Sequence, residues 1–332
     1  MKRATALVFC ILVMGCRSHP SQPCDAGGPD CIALTIPRGA TLGAAIDSLD
    51  AHDLVARRFL FSLYARIRGL GRELKSGTYA FHRDAGWRDI VDALKVGRGS
   101  LVRFTVPEGL RAAEIADLAS QQLGVPRDSF LAAARDPGLM HRLDLPPETE
   151  SLEGYLYPTT YTVRPHPPAR ELVRLMTDQF SAHWSNAWEA RLDTLRLSRH
   201  QLVTLASIIE SEVRYAPDRD YVSAVYHNRL ERGMLLQADP TVVYAMARRP
   251  HRVYEKNLLI QSPYNTYLHP GLPPGPINQP DSASIAAALY PASSPYLYFV
   301  AQPDGKHIFS ATYAEHLVAI REVKEQKSHS AP

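Results

Sequence analysis

The sequence predicts an α+β protein on three observations. Several segments carry apolar residues at helical spacing, short extended segments stand between them, and no regular strand–helix alternation runs through the chain. A chain of 332 residues, 45% of them hydrophobic and 21% charged, can bury a core in each of two or three compact units. The net charge of +3 arises from basic residues dispersed among 34 acidic ones. That distribution excludes the dense basic stripe by which a protein neutralises nucleic-acid phosphates.

The first element is an export signal over residues 1–16. Lys2 and Arg3 precede an apolar run from Ala4 to Met14, followed by Gly15 and Cys16. At about 11 residues the run is too short to span a bilayer as a helix and fits a signal peptide. Val13-Met14-Gly15-Cys16 has the form of a lipobox, so Cys16 is the expected lipidation site and membrane tether, with an uncleaved single-pass anchor as the alternative. Residues 17–31 read as a linker. The chain has four cysteines, none after Cys31, and in an oxidising envelope compartment Cys24 and Cys31 could form a disulfide.

Ile32 to Pro37 then reads as a strand ending in a Pro-Arg-Gly turn, and Leu42, Ala45, Ile46 and Leu49 fall at helical spacing. A second helix, Val55 to Ile67, places Phe59, Leu60, Leu63 and Ile67 on one face, and Ser76 to Phe81 returns as a strand. The phrase Thr35-Ile36-Pro37-Arg38-Gly39 recurs as Thr105-Val106-Pro107-Glu108-Gly109, and each leads into a helical segment. Leu152 to Val163 is aromatic and extended, followed by the stiff connector Arg164 to Pro168. Helices are predicted over Ala169 to Trp184, Arg199 to Val213 and Arg219 to Arg232, and a hairpin over Tyr296 to Ser310 around Pro303-Asp304-Gly305.

The chemistry concentrates on the helix Leu202 to Val213. An almost unbroken apolar run ends at Glu210, at the border of a broad apolar arc, where desolvation raises a carboxyl pKa as a general acid requires. A salt-bridged structural glutamate is the plainer reading of that spacing. Glu212 lies roughly 200° around the same helix, so the two carboxylates do not share one cleft. Asp239-Pro240 reads as a helix cap, while Gln237 suits a sugar hydroxyl or N-acetyl group. The proline-rich segment from Ser262 to Pro280 carries Tyr264, Asn265 and Tyr267 and reads as a rigid binding wall, with a polyproline docking segment as the alternative. Histidines 227, 269, 307 and 316 lack a metal-ligand spacing, so neither a metal nor another cofactor is expected; nucleophile-elbow and nucleotide fingerprints are absent.

Five ordered blocks, Leu205 to Glu212, Val225 to Leu230, Met234 to Thr241, Ser262 to Tyr267 and Gly271 to Pro276, together resemble the endolytic murein transglycosylase, or YceG-like, family. Leu152 to Pro158 and the closing Asp304 to His316 extend the resemblance, which covers roughly Ile32 to the end. It implies a LysM-like subdomain over 32–100, a second small unit and connector over 101–168, and a catalytic domain of helices and hairpins over 169–332.

By the same resemblance Glu210 is the catalytic acid/base, and Glu153, Asn228, Gln237, Asp239, Tyr264, Asn265, Tyr267 and Gln279 are candidate substrate contacts. Peptidoglycan glycan strands are the implied substrate. The resemblance also implies coupling to peptidoglycan synthases or division proteins, with the catalytic domain outside the cytoplasm. The chain departs from the family at Ser211-Glu212-Val213, where Lys-Glu-Thr is usual, at Gln279-Pro280, where Asn-Pro is usual, and in its lipoprotein-like signal in place of a transmembrane helix. Two further readings stand beside the enzyme. One is a catalytically silent peptidoglycan-binding or division-complex module; the other is a two-carboxylate muramidase with Glu153, Glu212 or Asp239 opposite Glu210.

Overall fold

The computed structural model describes residues 31–97, 102–164, 166–246 and 254–329. The signal, Cys16 and Cys24 lie outside them. Among the described residues, helices and three two-stranded antiparallel sheets make an α+β fold, and the chain divides between Leu101 and Val102 into two compact units.

In the first unit β1 (Cys31–Ile36) pairs with β2 (Gly77–His82). Between them run α1 (Leu42–Ala51), α2 (Arg58–Ile67) and α3 (Leu70–Glu73), and α4 (Trp87–Val96) follows. The Thr41 hydroxyl caps α1 by accepting from the Ala44 N–H. The core joins Leu34, Ile36, Ile46, Leu49, Phe61, Leu70, Tyr79 and Leu94.

Helix α2 begins at Arg58, three residues after the predicted start, and does carry the expected apolar face. The face formed by Phe59, Leu60, Leu63 and Ile67 is exposed, and the helix buries Phe61 and Ala65 instead. Phe61 packs edge-on to Trp87 of α4, which takes the opposite side of the helix into the core.

The second unit opens with β3 (Val102–Thr105), which pairs with β4 (Thr160–Val163) across the intervening α5 (Ala112–Leu123), α6 (Arg127–Ala133) and α7 (Pro137–Arg142). Next come α8 (Ala169–His183), α9 (Asn186–Leu195), α10 (Arg199–Glu212), α11 (Arg219–Glu231), α12 (Asp239–Ala245) and α13 (Ser282–Leu289). A hairpin of β5 (Tyr298–Ala301) and β6 (His307–Ser310) packs with the last helix, α14 (Tyr313–His329).

Helix α10 is the centre of this unit, because every residue from Leu202 to Ile209 is buried. A helix that is apolar on all sides must be covered on all sides, and α9, α11, α12 and α13 pack around it. Ser198 starts it with a reciprocal capping box to Gln201. One core runs from β3 and α5 through Leu152, Tyr155 and Leu156 to α8, α10, α11 and α13.

Candidate active site

Glu210 lies in the last turn of α10, where the buried run gives way to solvent, and is half-buried. Its Oε2 accepts the Ser284 hydroxyl at 2.7 Å and the Asp281 N–H at 3.2 Å. Both donors belong to the start of α13. Asp281 is that helix's N-cap, its Oδ1 taking the Ser284 N–H at 2.6 Å, so one local motif caps a helix and fixes a carboxylate on another. Burial pushes the Glu210 carboxyl up, the Ser284 bond opposes it and the adjacent Asp281 charge adds to it, for a net rise to about 7.

The loop that delivers Asp281 is fastened to α10. The Ser207 hydroxyl accepts the Ile277 N–H at 3.0 Å, and the Asn278 amide donates to the Ser207 carbonyl and the Ser211 hydroxyl. On its other side Gln279 pairs with the turn after β3, its carbonyl accepting the Gly109 N–H and its N–H donating to the Leu110 carbonyl. Gly109, at φ +72°, therefore stands over Glu210: a Cβ there would lie 3.9 Å from Glu210 Cγ. Gly154 is needed for a different reason, since a Cβ on it would come within 2.5 Å of Pro276.

Glu153 and Gln279 are buried behind that turn. Glu153 Oε1 accepts the Ala112 N–H at 2.9 Å and the Gln279 amide, while Gln279 Oε1 accepts the Leu156 N–H. Burial pushes Glu153 up to about 7, against the bond from Ala112 and the charge of Arg111. Asn265 is also fully buried. Its amide donates to the Leu258 and Ile260 carbonyls, and its Oδ1 accepts the Tyr267 N–H. Asn228 is half-buried and donates to the Ser294 and Tyr296 carbonyls, tying α11 to the approach of β5.

Gln237, Asp239 and Tyr267 gather on a more open face. Gln237 is exposed at φ +50°, and the Tyr267 hydroxyl donates to Asp239 at 2.6 Å. Asp239 is the first residue of α12 rather than its cap, a position taken by Ala238. The expected capping role fails by one residue, which frees the carboxylate for Tyr267. Tyr264 is half-buried with its ring 4.7 Å from that of Tyr244.

Glu212 turns away from α13. The Tyr226 hydroxyl on α11 donates to it at 2.9 Å, and burial, with a smaller contribution from Asp239, pushes its carboxyl up to about 7. Asp281, Ser284 and Gly109 are contacts of Glu210 that sequence reasoning did not single out. Pro280-Asp281 before the alanine-rich run Ser282–Leu289 is a helix-start signal that could have found the first two. No local signal marks Gly109 as facing Glu210.

Comparison with known proteins agrees with this architecture. The YceG-like family model matches residues 34–322. The chain is 30% identical over 309 residues to the endolytic murein transglycosylase of Bacillus subtilis, covering 89% of this chain and 85% of that protein. It is 27% identical over 324 residues to that of Streptococcus pneumoniae, covering 89% of this chain and 58% of that one. A crystal structure of a YceG-like protein from Listeria monocytogenes superposes with a TM-score of 0.62 at 31% identity, over 88% of this chain and 99% of that one. The chain belongs to the YceG-like family.

Proposed function

We propose that the chain is a peptidoglycan lytic transglycosylase in which Glu210 acts as the single acid/base. The observation that carries this reading is a half-buried carboxyl at the edge of an apolar helix, fixed in place by the Ser284 hydroxyl and the Asp281 N–H and lifted by burial to about 7. The relatives' names supply the substrate, murein.

Protonated Glu210 donates to the oxygen that links N-acetylmuramic acid to N-acetylglucosamine, and the bond from that oxygen to the muramyl C1 breaks. The resulting carboxylate removes the C6 hydroxyl proton as the C6 oxygen bonds to C1, leaving a 1,6-anhydromuramyl end and consuming no water. A tethered nucleophile of this kind carries a large effective concentration, so one carboxyl suffices where hydrolysis uses two. Gln237, Asp239, Tyr264 and Tyr267 are the proposed sugar-contacting side chains. Glu153, Asn265 and Gln279 are buried, Asn228 is half-buried with its amide spent on two carbonyls, and these four act from behind.

Residues 32–100 fill the role of the LysM-like subdomain in this reading, and a lipidated Cys16 holds the enzyme on the outer side of a bacterial membrane. Cleavage there would end nascent strands and would bring the enzyme near strand synthases. Asp281 favours one second reading, a muramidase in which this neighbouring carboxyl activates water.

The test is Glu210→Gln, which keeps the shape and removes the proton. Cleavage of purified glycan strands should fall about a thousandfold or more, with folding and glycan binding retained. Wild-type products should be lighter than hydrolytic ones by one water and should take up no label from heavy-oxygen water. Labelled reducing muramyl ends would establish the muramidase, and full activity of folded Glu210→Gln would remove the catalytic role.

A further inference from the structure

The outward face of α2 is an apolar ridge on a helix whose inner face is already buried. Phe59 is 80% exposed, Leu60 44%, Leu63 50% and Ile67 75%, and all four fall within about 100° of arc. Phe61 and Ala65, on the opposite side, are fully buried. Arg66 borders the ridge, Arg57 and Arg68 stand at the two ends of the helix and Arg58 in its first turn, and no acidic residue occurs between Asp53 and Glu73. Arg58 and Arg68 are paired with Asp47 and Asp92 in exposed ion pairs. Arg57 and Arg66 are exposed and have no acidic partner among the described residues.

We propose that α2 docks this unit on an anionic bilayer, with Phe59, Leu60, Leu63 and Ile67 inserted at the boundary of headgroups and acyl chains and the arginines on lipid phosphates. Ten residues make a helix of about 15 Å, half the hydrocarbon thickness, so α2 lies in the interface rather than across it. An apolar stripe bordered by arginine is the pattern of such helices. Four ridge residues also fall well short of the about 20–30 residues a side that stable protein pairs use.

Position supports the same occupant. Fourteen residues lie between Cys16 and Cys31, a reach of about 50 Å at most, so a lipid on Cys16 keeps this unit beside the membrane. The inference uses the envelope reading of the N-terminal segment and is independent of the chemistry at Glu210.

The experiment takes the chain from Arg17, since both cores lie between Leu34 and Val323 and the tether would otherwise dominate binding. Phe59→Trp serves as reporter with vesicles of phosphatidylglycerol mixed with phosphatidylcholine. Its emission, taken as the difference from the parent chain with Trp87, Trp184 and Trp188, should shift to the blue and be quenched by lipids brominated on the acyl chains. Arg57→Gln with Arg66→Gln should lower partitioning roughly thirtyfold, and Phe59→Ser with Leu63→Ser and Ile67→Ser should abolish it. These exposed variants should cleave soluble glycan strands at the parent rate, which separates failure of docking from failure of the transglycosylase reading.

Three results overturn the proposal. One is an emission spectrum of the Phe59→Trp reporter that these vesicles leave unshifted. The second is a concentration-dependent dimer without lipid that the serine variant disperses, which would assign the ridge to a second copy. The third is a reporter already shielded without lipid in the chain from Met1 and bared in the chain from Arg17, which would assign the ridge to the N-terminal segment.

Discussion

The two turns Thr35–Gly39 and Thr105–Gly109 are built alike and used differently. Each follows a strand whose threonine hydroxyl bonds to a threonine on the paired strand, Thr35 to Thr78 and Thr105 to Thr160, both at 2.9 Å. Each ends in a left-handed glycine and leads into a helix. The first is self-contained: α1 is capped by its own Thr41, and a Cβ on Gly39 would meet nothing within 4 Å. The second is tied to distant chain. Gln279 brackets Gly109 and Leu110, Glu153 takes the first N–H of α5, and Gly109 faces Glu210. The same local phrase becomes part of a site only through contacts more than 40 residues away in sequence.

Valine at the two glycines puts the sharpest pressure on that difference. Both positions have φ above +70°, a region a β-branched residue strongly disfavours, so the backbone cost should be similar at each. Only at Gly109 does the side chain also meet Glu210. Gly109→Val should cut glycan cleavage about a hundredfold in the folded fraction, the scale expected when a catalytic group is displaced by about 1 Å. Gly39→Val should cost stability with cleavage retained, and Gly109→Ala, whose Cβ has room, should fall between. Equal cleavage rates for the two valine variants would mean that the second turn does not position Glu210.

Removing the caps compares the turns in stability. Thr41→Ala should cost about 1 kcal/mol. Glu153→Ala should cost about 2–4 kcal/mol, because it strands the buried Ala112 N–H and the Gln279 amide. Glu153 also has a pH signature. Its carboxyl rises from 4.5 to about 7 on folding, so between those values the folded state holds more protons and stability falls as pH rises. Glu153→Gln should flatten the dependence of denaturant-measured stability over that window. An unchanged slope would show that Glu153 is ionised in the fold.

Opposite shifts are expected from the two residues of α13 that hold Glu210. The acid must be protonated, so cleavage should be lost as pH rises through about 7. Asp281→Asn removes a neighbouring negative charge and should move that limb to lower pH by roughly one unit. Ser284→Ala removes a bond to the charged form and should move it higher. Shifts of one sign would break the assignment of these two effects.

What was legible in the sequence follows the same division. Three long helices are placed to within a residue, since capping and periodicity are local: α8, α10 and α11 begin where predicted and end one residue early, whereas α14, the longest of the described helices, is not predicted. The apolar face of α2 was legible as a face but not as an outward one, because periodicity records which residues align and not what covers them. Glu210 stood out because an apolar run ends on it. Asp281, Ser284 and Gly109 did not, because their meaning depends on packing between α10, α13 and the turn after β3.

The smallest effect is expected at Glu212, although burial lifts its carboxyl to about 7 as it does that of Glu210. An elevated pKa marks a desolvated carboxyl, and only the direction it faces can make it an acid for substrate. Two residues further along α10, Glu212 points to α11 and accepts the Tyr226 hydroxyl, away from Asp281, Ser284 and the turn at Gly109. Glu212→Gln keeps an acceptor for Tyr226 and removes a charge that faces Asp239. Cleavage should therefore stay within about threefold of the parent, against the loss of about a thousandfold or more expected of Glu210→Gln. Stability above pH 7 should rise slightly, because an ionised group that the fold disfavours is gone. Loss of cleavage as deep as that of Glu210→Gln would mean that α10 offers substrate both carboxyls, and with labelled reducing ends it would make the enzyme a two-carboxylate hydrolase.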